Sequence, residues 1–220
     1  MLENNTQKIL IFVSTGRCGT TRLAEILMAK LPTSEFSVQH QMSHSRLANI
    51  SGNIMYYLGN FEMLKKIFFS RMIRRYAGKR SLICTDPLMS MVIPTPLIKS
   101  ENVRIIHVYR DETQFSHSFF RFSRIKMMSF IAHNFVPFWQ PGVYPIENIL
   151  SKNIKEKYKK VARLKFNWFR KHYSSNEGYL EIEMSKLFSE KTLENLINEY
   201  FGTSIFISDS EFEKKSNQSS

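Results

Sequence analysis

A chain of 220 residues, 43% hydrophobic and 23% charged, is long enough for one domain with a sizeable core and too ordinary in composition for a disordered or fibrous protein. Its net charge of +12 calls for an anionic partner without choosing among nucleic acid, a membrane surface, an anionic cofactor and an acidic acceptor. Two cysteines, Cys18 and Cys84, offer neither a disulfide framework nor a metal-ligand spacing, and the six histidines are scattered, so no metal is expected.

The first seven residues are polar and lack a basic flank. The apolar run of 9–13 is too short for a secretory or membrane-spanning segment, so a cytoplasmic location is the expectation. Residues 8–14 read as a buried strand, 15–19 as a glycine-bearing turn and 20–30 as a helix ended by Pro32. A second short strand is expected over 36–40. The pattern of 53–76 is helical, with Gly59 its weak point. Residues 81–84 form a short strand stopped by Asp86-Pro87, and 103–109 another buried strand. Helix is expected over 111–130, and a loop over 135–145 from its three prolines and one glycine. Residues 146–173 read as a long basic amphipathic helix, 178–183 as a last strand, and 190–201 as a last helix closed by Gly202.

Strands alternating with helices predict a single α/β domain over 1–220, with a mostly parallel sheet flanked by helices. Its core spans about 8–202, and 203–220 form a polar tail. The ligand of such a sheet sits beyond the carboxyl ends of the strands. Those ends are Ser14, His40, Cys84 and Arg110, and the notable residues cluster at or just past them.

The segment 14–22 reads Ser-Thr-Gly-Arg-Cys-Gly-Thr-Thr-Arg and joins a strand to a helix. Gly16 and Gly19 allow a tight turn. Unpaired N–H groups at the helix start, the helix dipole, the hydroxyls of Thr20 and Thr21, and the charge of Arg17 together make a cradle for a phosphate or phosphosulfate. An ordinary strand-to-helix turn with a hydroxyl N-cap has the same outline. The loop is not a Walker A sequence, because Thr21 and Arg22 stand where that pattern needs glycine and lysine.

Gly16-Arg17-Cys18-Gly19-Thr20-Thr21 resembles the 5′-phosphosulfate loop of sulfotransferases that use 3′-phosphoadenosine 5′-phosphosulfate (PAPS), with Cys18 where serine is usual. Cys18 is read either as a reactive thiol at a helix N-terminus or as a small filler in a serine's place. The strand 103–109 ends in Arg110-Asp111, and Ser118 follows Arg110 by eight residues. That spacing resembles the family's 3′-phosphate site, where an arginine fork and a serine hydroxyl hold one phosphate. The two motifs occur in the family's order and account for both anionic ends of one cofactor.

The resemblance implies a P-loop-like sulfotransferase fold, PAPS as co-substrate, no metal, and in-line transfer of a sulfuryl group to an acceptor hydroxyl. It assigns cofactor binding to Gly16, Arg17, Cys18, Gly19, Thr20, Thr21, Arg110 and Ser118. Arg17 is also expected to neutralise charge on the leaving oxygen. Thr85-Asp86-Pro87 resembles a stretch that often carries a lysine, which is missing here, and the arginine-lysine-glycine segment near the end of some relatives is absent. For the catalytic base the first candidate is His40, which takes the place of a glutamate in tyrosyl-protein sulfotransferases; Asp86, His44 and His117 are the alternatives, and His107 is read as core. The basic clusters 71–80 and 152–171 are read as solvated helix faces. The acceptor stays open among a small molecule, a lipid and a carbohydrate, with no nucleic acid expected. Two other readings are a P-loop kinase and a non-enzymatic binder of nucleic acid or membrane.

Overall fold

The computed structural model describes residues 7–59, 61–125, 154–189 and 191–207. Five uninterrupted apolar residues can be satisfied only by burial on both faces, and β1 (Ile9–Val13) accordingly lies at the centre of a five-stranded sheet. The strands run in the order β2 (Phe36–Gln39), β3 (Ser81–Cys84), β1, β4 (Val103–Tyr109), β5 (Leu180–Glu183), and every neighbouring pair is parallel. The α/β class and parallel sheet expected from the sequence are therefore present.

Alternation along the strands sorts two cores. Ile9, Ile11 and Val13 of β1 pack with Leu82, Cys84, Val103 and Ile105 on one face. That face is covered by α2 (Ser45–Leu58), α3 (Glu62–Met72) and α6 (Ile154–Tyr173), the last through Phe169 and Tyr173. Leu10 and Phe12 face the other way with Ile83, Ile106, Val108 and Ile182. There they meet α1 (Thr20–Lys30) and α8 (Thr192–Phe201), which contribute Leu23, Leu27, Leu196 and Ile197. Gly202 closes α8 in the left-handed region and donates to the Asn198 carbonyl at 2.8 Å, as a C′ glycine should.

The helix expected over 53–76 is instead two helices. It begins earlier, at Ser45, and breaks at Gly59, whose φ of 105° no helix accommodates. After α3 the chain continues as a π-helical turn over Ile73–Ala77. Asp86 and Pro87 end β3 by starting a short 3₁₀ turn, Pro87–Met89, with the Asp86 carboxylate capping Leu88 N–H at 3.0 Å. Two single-turn helices, α4 (Thr95–Ile98) and α7 (Met184–Leu187), were not foreseen. The loop expected over 135–145, the segment 146–153 and the tail beyond Ile207 lie outside the described residues.

α5 (Glu112–Ile125) packs on α6 through Phe115, Phe119, Tyr158 and Ala162. Arg163 of α6 donates to both Glu112 oxygens, at 2.9 and 2.7 Å. The basic face expected on α6 is only partly solvated, because Lys157 and Lys165 are buried.

Lys165 donates to Asn53 Oδ1 at 3.2 Å, and burial pushes its ammonium down to about 7. In the unfolded chain a lysine keeps its proton to about pH 10.4. Between those two values the unfolded state binds more protons than the native one, so stability rises with pH across that window, by about 1.4 kcal/mol per unit. Lys165→Met should flatten the rise and stabilise the protein most at pH 7 and below. Urea unfolding at about pH 6.5, 8.5 and 10 measures this; a slope that survives the substitution would mean that another group causes it.

Candidate active site

The sheet order sets where a ligand can enter. From β1 the chain leaves through α1 toward β2 at one edge; from β4 it leaves through α5 toward β5 at the other. The two connections diverge over the β1–β4 pair and open a crevice there, outside the carboxyl ends of the strands.

The loop after β1 lines this crevice. Gly16, Arg17 and Gly19 all have positive φ, at 81°, 57° and 72°. Gly19 caps α1 in the left-handed conformation, and, having no side chain, leaves that helix end without a side-chain cap from the cap residue. A Cβ on Gly19 would come within 2.6 Å of the Phe188 ring, so both backbone and packing require glycine. Arg17 adopts the left-handed region at some cost, typical of residues held in place at a binding loop. Ser14 and Ser90 brace the turn: Ser14 N–H donates to Ser90 Oγ at 3.0 Å, and Gly16 N–H to Ser14 Oγ at 3.1 Å. Ser90 lies 76 residues away in sequence, and no local pattern pointed to it.

The second motif meets the first. Arg110, just past β4, donates to the Arg17 carbonyl at 3.5 Å and to Gln114 Oε1 at 3.3 Å. Arg17 Nε reaches Ser118 Oγ on α5 at 3.4 Å. Partial desolvation of a guanidinium whose side chain still reaches solvent, and then the like charge of Arg110, lower the Arg17 pKa. Two guanidiniums drawn together without a carboxylate pairing to Arg110 among the described residues favour an anion between them. Asp111, the nearest acid in sequence, is occupied in capping α5 through Thr113 and Gln114 N–H, both at 3.0 Å.

Cys18 is a filler. It is 1% exposed, its Sγ donates to the Gly16 carbonyl at 3.3 Å, and burial pushes its thiol up to about 11. The place of the missing lysine is held by Thr85, which is neutral, and Cys84 before it is buried in β3 with its thiol pushed up to about 12 by burial.

Among the base candidates, His40 alone touches the loop. Its Nε2 lies 3.1 Å from Thr21 Oγ1, and its Nδ1 lies 3.1 Å from the Thr85 carbonyl and 3.2 Å from Thr85 Oγ1. A carbonyl can only accept, so Nδ1 carries the proton and Nε2 keeps its lone pair, facing the Thr21 hydroxyl. Both ring nitrogens thus have protein partners, and use of His40 as a base requires Thr21 to give way. The Asp86 carboxylate is spent structurally: it accepts from Met42 and Leu88 N–H, each at 3.0 Å, and from the Ser45 hydroxyl. His44 is buried against Tyr76, and burial, then Arg71, lower its pKa. His117 is exposed on α5. His107 is core: it is 1% exposed, lies beside Phe166 and Phe169, and is pushed down to about 4 by burial.

A parallel sheet, a left-handed loop running into an open helix N-terminus, and two arginines converging over the switch point define the class: an α/β protein that handles a phosphate-like group. Residues 7–176 match the sulfotransferase domain family, so the chain belongs to that family and is an enzyme of sulfuryl transfer. A sulfotransferase from Alicyclobacillus acidocaldarius shares the fold, with a TM-score of 0.52 at 11% identity over 93% of this chain and 85% of that one. A mouse sulfotransferase solved with PAP aligns at 16% identity and a TM-score of 0.42, over 97% of this chain and 65% of that one. The chain therefore spans just under two thirds of the mouse enzyme's length. No curated protein sequence matches it significantly. Among the described residues, no helix is long and apolar enough to cross a membrane.

Proposed function

We propose that the sulfuryl donor is PAPS and that the acceptor is a hydroxyl of a small molecule, a lipid or a carbohydrate. The observation that carries this reading is the contact between the two motifs: Arg17 and Ser118, 101 residues apart, meet at 3.4 Å, and Arg110 reaches the Arg17 carbonyl at 3.5 Å. A donor with an anionic group at each end uses both motifs at once. A plain nucleotide 5′-phosphate leaves Arg110 and Ser118 idle.

In this reading the loop from Gly16 to Thr21 holds the 5′-phosphosulfate through its N–H groups and hydroxyls. Arg110 and Ser118 hold the 3′-phosphate. The Thr21 hydroxyl turns from His40 toward the phosphosulfate and frees Nε2. The acceptor oxygen forms its bond to sulfur as the bond from sulfur to the bridging oxygen breaks. The bridging electron pair stays on the phosphate beside Arg17, and the acceptor's proton passes to His40 Nε2.

The test is binding of the desulfated donor, 3′-phosphoadenosine 5′-phosphate (PAP). PAP should raise the melting temperature, with or without chelator, because it binds the folded state. Adenosine 5′-phosphate should do so less. Arg110→Ala should weaken PAP by about 2–3 kcal/mol and Ser118→Ala by about 1 kcal/mol, the range for charged and neutral hydrogen bonds. Equal shifts by the two nucleotides, or unchanged PAP affinity in Arg110→Ala, would remove the 3′-phosphate assignment.

A further inference from the structure

A second cavity, of about 470 Å³, lies between the end of α2, the start of α3 and the second half of α6. Its walls include Tyr56, Lys65, Trp168, Lys171 and His172. None of its lining residues belongs to the loop 14–22, His40, Arg110 or Ser118. α2 starts at Ser45, bonded to Asp86 beneath the crevice, and reaches the cavity only at Met55 and Tyr56, about 15 Å further along the helix.

Lys65 is the unusual group here. It is 3% exposed, yet no hydrogen bond or ion pair holds it among the described residues. Its Nζ stands 5.9 Å from the centre of the Trp168 ring. Glu62, one turn earlier on α3, does not pair with it. The two Glu62 oxygens instead accept from Thr95 N–H at 2.6 Å and Thr95 Oγ1 at 3.0 Å, fixing the start of α4. Burial lowers the Lys65 pKa, with Glu62 opposing. A cation–π contact offsets part of the cost of a buried ammonium, and a counter-ion offsets more.

Among the described residues, the cavity lining contains no aspartate or glutamate, and Lys171 adds a further positive charge. One wall is flat and aromatic: Trp168 and His172 stack with centroids 4.0 Å apart at 20°. His172 is fixed by its Nδ1, 2.8 Å from the Trp168 carbonyl. A buried ammonium without a counter-ion, an aromatic wall and a lining free of acids all select one ligand chemistry.

We propose that this cavity is a second binding site, for a small organic anion whose flat apolar body lies along Trp168 and whose acidic group takes Lys65 as its counter-ion. Its volume suits a molecule of one or two rings. It is separate from the crevice, so its occupant is neither the sulfuryl donor nor the group being sulfated.

Naphthalene-2-sulfonate is a suitable probe, with naphthalene-2-sulfonamide as its neutral isostere and inorganic sulfate as its ring-free counterpart. The chain has two tryptophans, so Trp139→Phe leaves Trp168 as the only emitter. In that protein the sulfonate should quench Trp168 and bind at least tenfold tighter than either comparison compound. Lys65→Met should erase the preference for sulfonate over sulfonamide while PAP still binds. If Lys65→Met does not fold, Lys171→Gln should weaken the sulfonate by a smaller factor, since Lys171 lies exposed at the rim. Equal binding of sulfonate and sulfonamide, equal binding of sulfate, no quenching, or displacement of the sulfonate by PAP would each overturn the proposal; the last would put the probe in the crevice. Failure of PAP to bind at all would count against the donor assignment and leave the sulfonate result standing on its own.

Discussion

His40→Ala should lower turnover about 10²-fold or more, the usual contribution of a general base, while leaving PAP affinity nearly intact. The half-buried imidazole is oriented by the Thr85 carbonyl, which accepts a hydrogen bond from Nδ1–H, and presents Nε2 to Thr21 of the loop after β1. His40→Gln should not rescue turnover, because an amide can hydrogen-bond to Thr21 and Thr85 but cannot accept the acceptor's proton. The Thr21 contact sharpens the test. If His40 serves only to steady the loop through Thr21, His40→Gln should restore turnover and His40→Ala should weaken PAP.

Arg17→Ala should reduce kcat by about 10²–10³, the range for removal of one charge-stabilising donor, and weaken PAP much less. Negative charge grows on the bridging oxygen as the sulfuryl group departs, so a contact there is stronger in the transition state than in the ground state. Arg17 is exposed at the loop crest, with its backbone in the left-handed region and its Nε on Ser118. The neighbouring cation at the crevice, Arg110, is turned onto the Arg17 carbonyl and Gln114, and Thr85, in the place of the missing lysine, is neutral. Arg17→Lys should recover part of kcat, because it restores the charge without the planar fork. A change confined to KM would make Arg17 a positioning residue instead. Single-turnover kinetics with the donor in excess separates the two outcomes.

The sequence by itself determined the α/β class, the five strands and the glycine turn after the first of them. Ile9 to Val13 and Leu82 to Cys84 are apolar runs, and Val103, Ile105, Ile106 and Val108 are apolar within their strand, so burial requires a sheet covered on both faces, and Gly16 and Gly19 mark a turn that only left-handed backbone can make. The spacing of Arg110 and Ser118 was legible because both belong to one strand–helix connection. The break at Gly59 was half legible: the glycine stood out, but the apolar residues around it continue a helical pattern on both sides, and only packing decided that two helices form. The roles of the polar groups were decided by tertiary structure alone. Asp86 stood behind His40 as an alternative base in the chain, and the structure shows Met42, Ser45 and Leu88 taking up its carboxylate, while His40 is turned onto Thr21 and Thr85. Lys165 read as a solvated charge on a helix face, and it is buried, as is Lys65, because α2, α3 and α6 close over them. Periodicity reports which face of a segment is apolar. Which acid is capped, which ammonium is buried and which arginines meet depend on contacts between segments as far apart as Arg17 and Ser118, 101 residues from each other, and no local pattern encodes them.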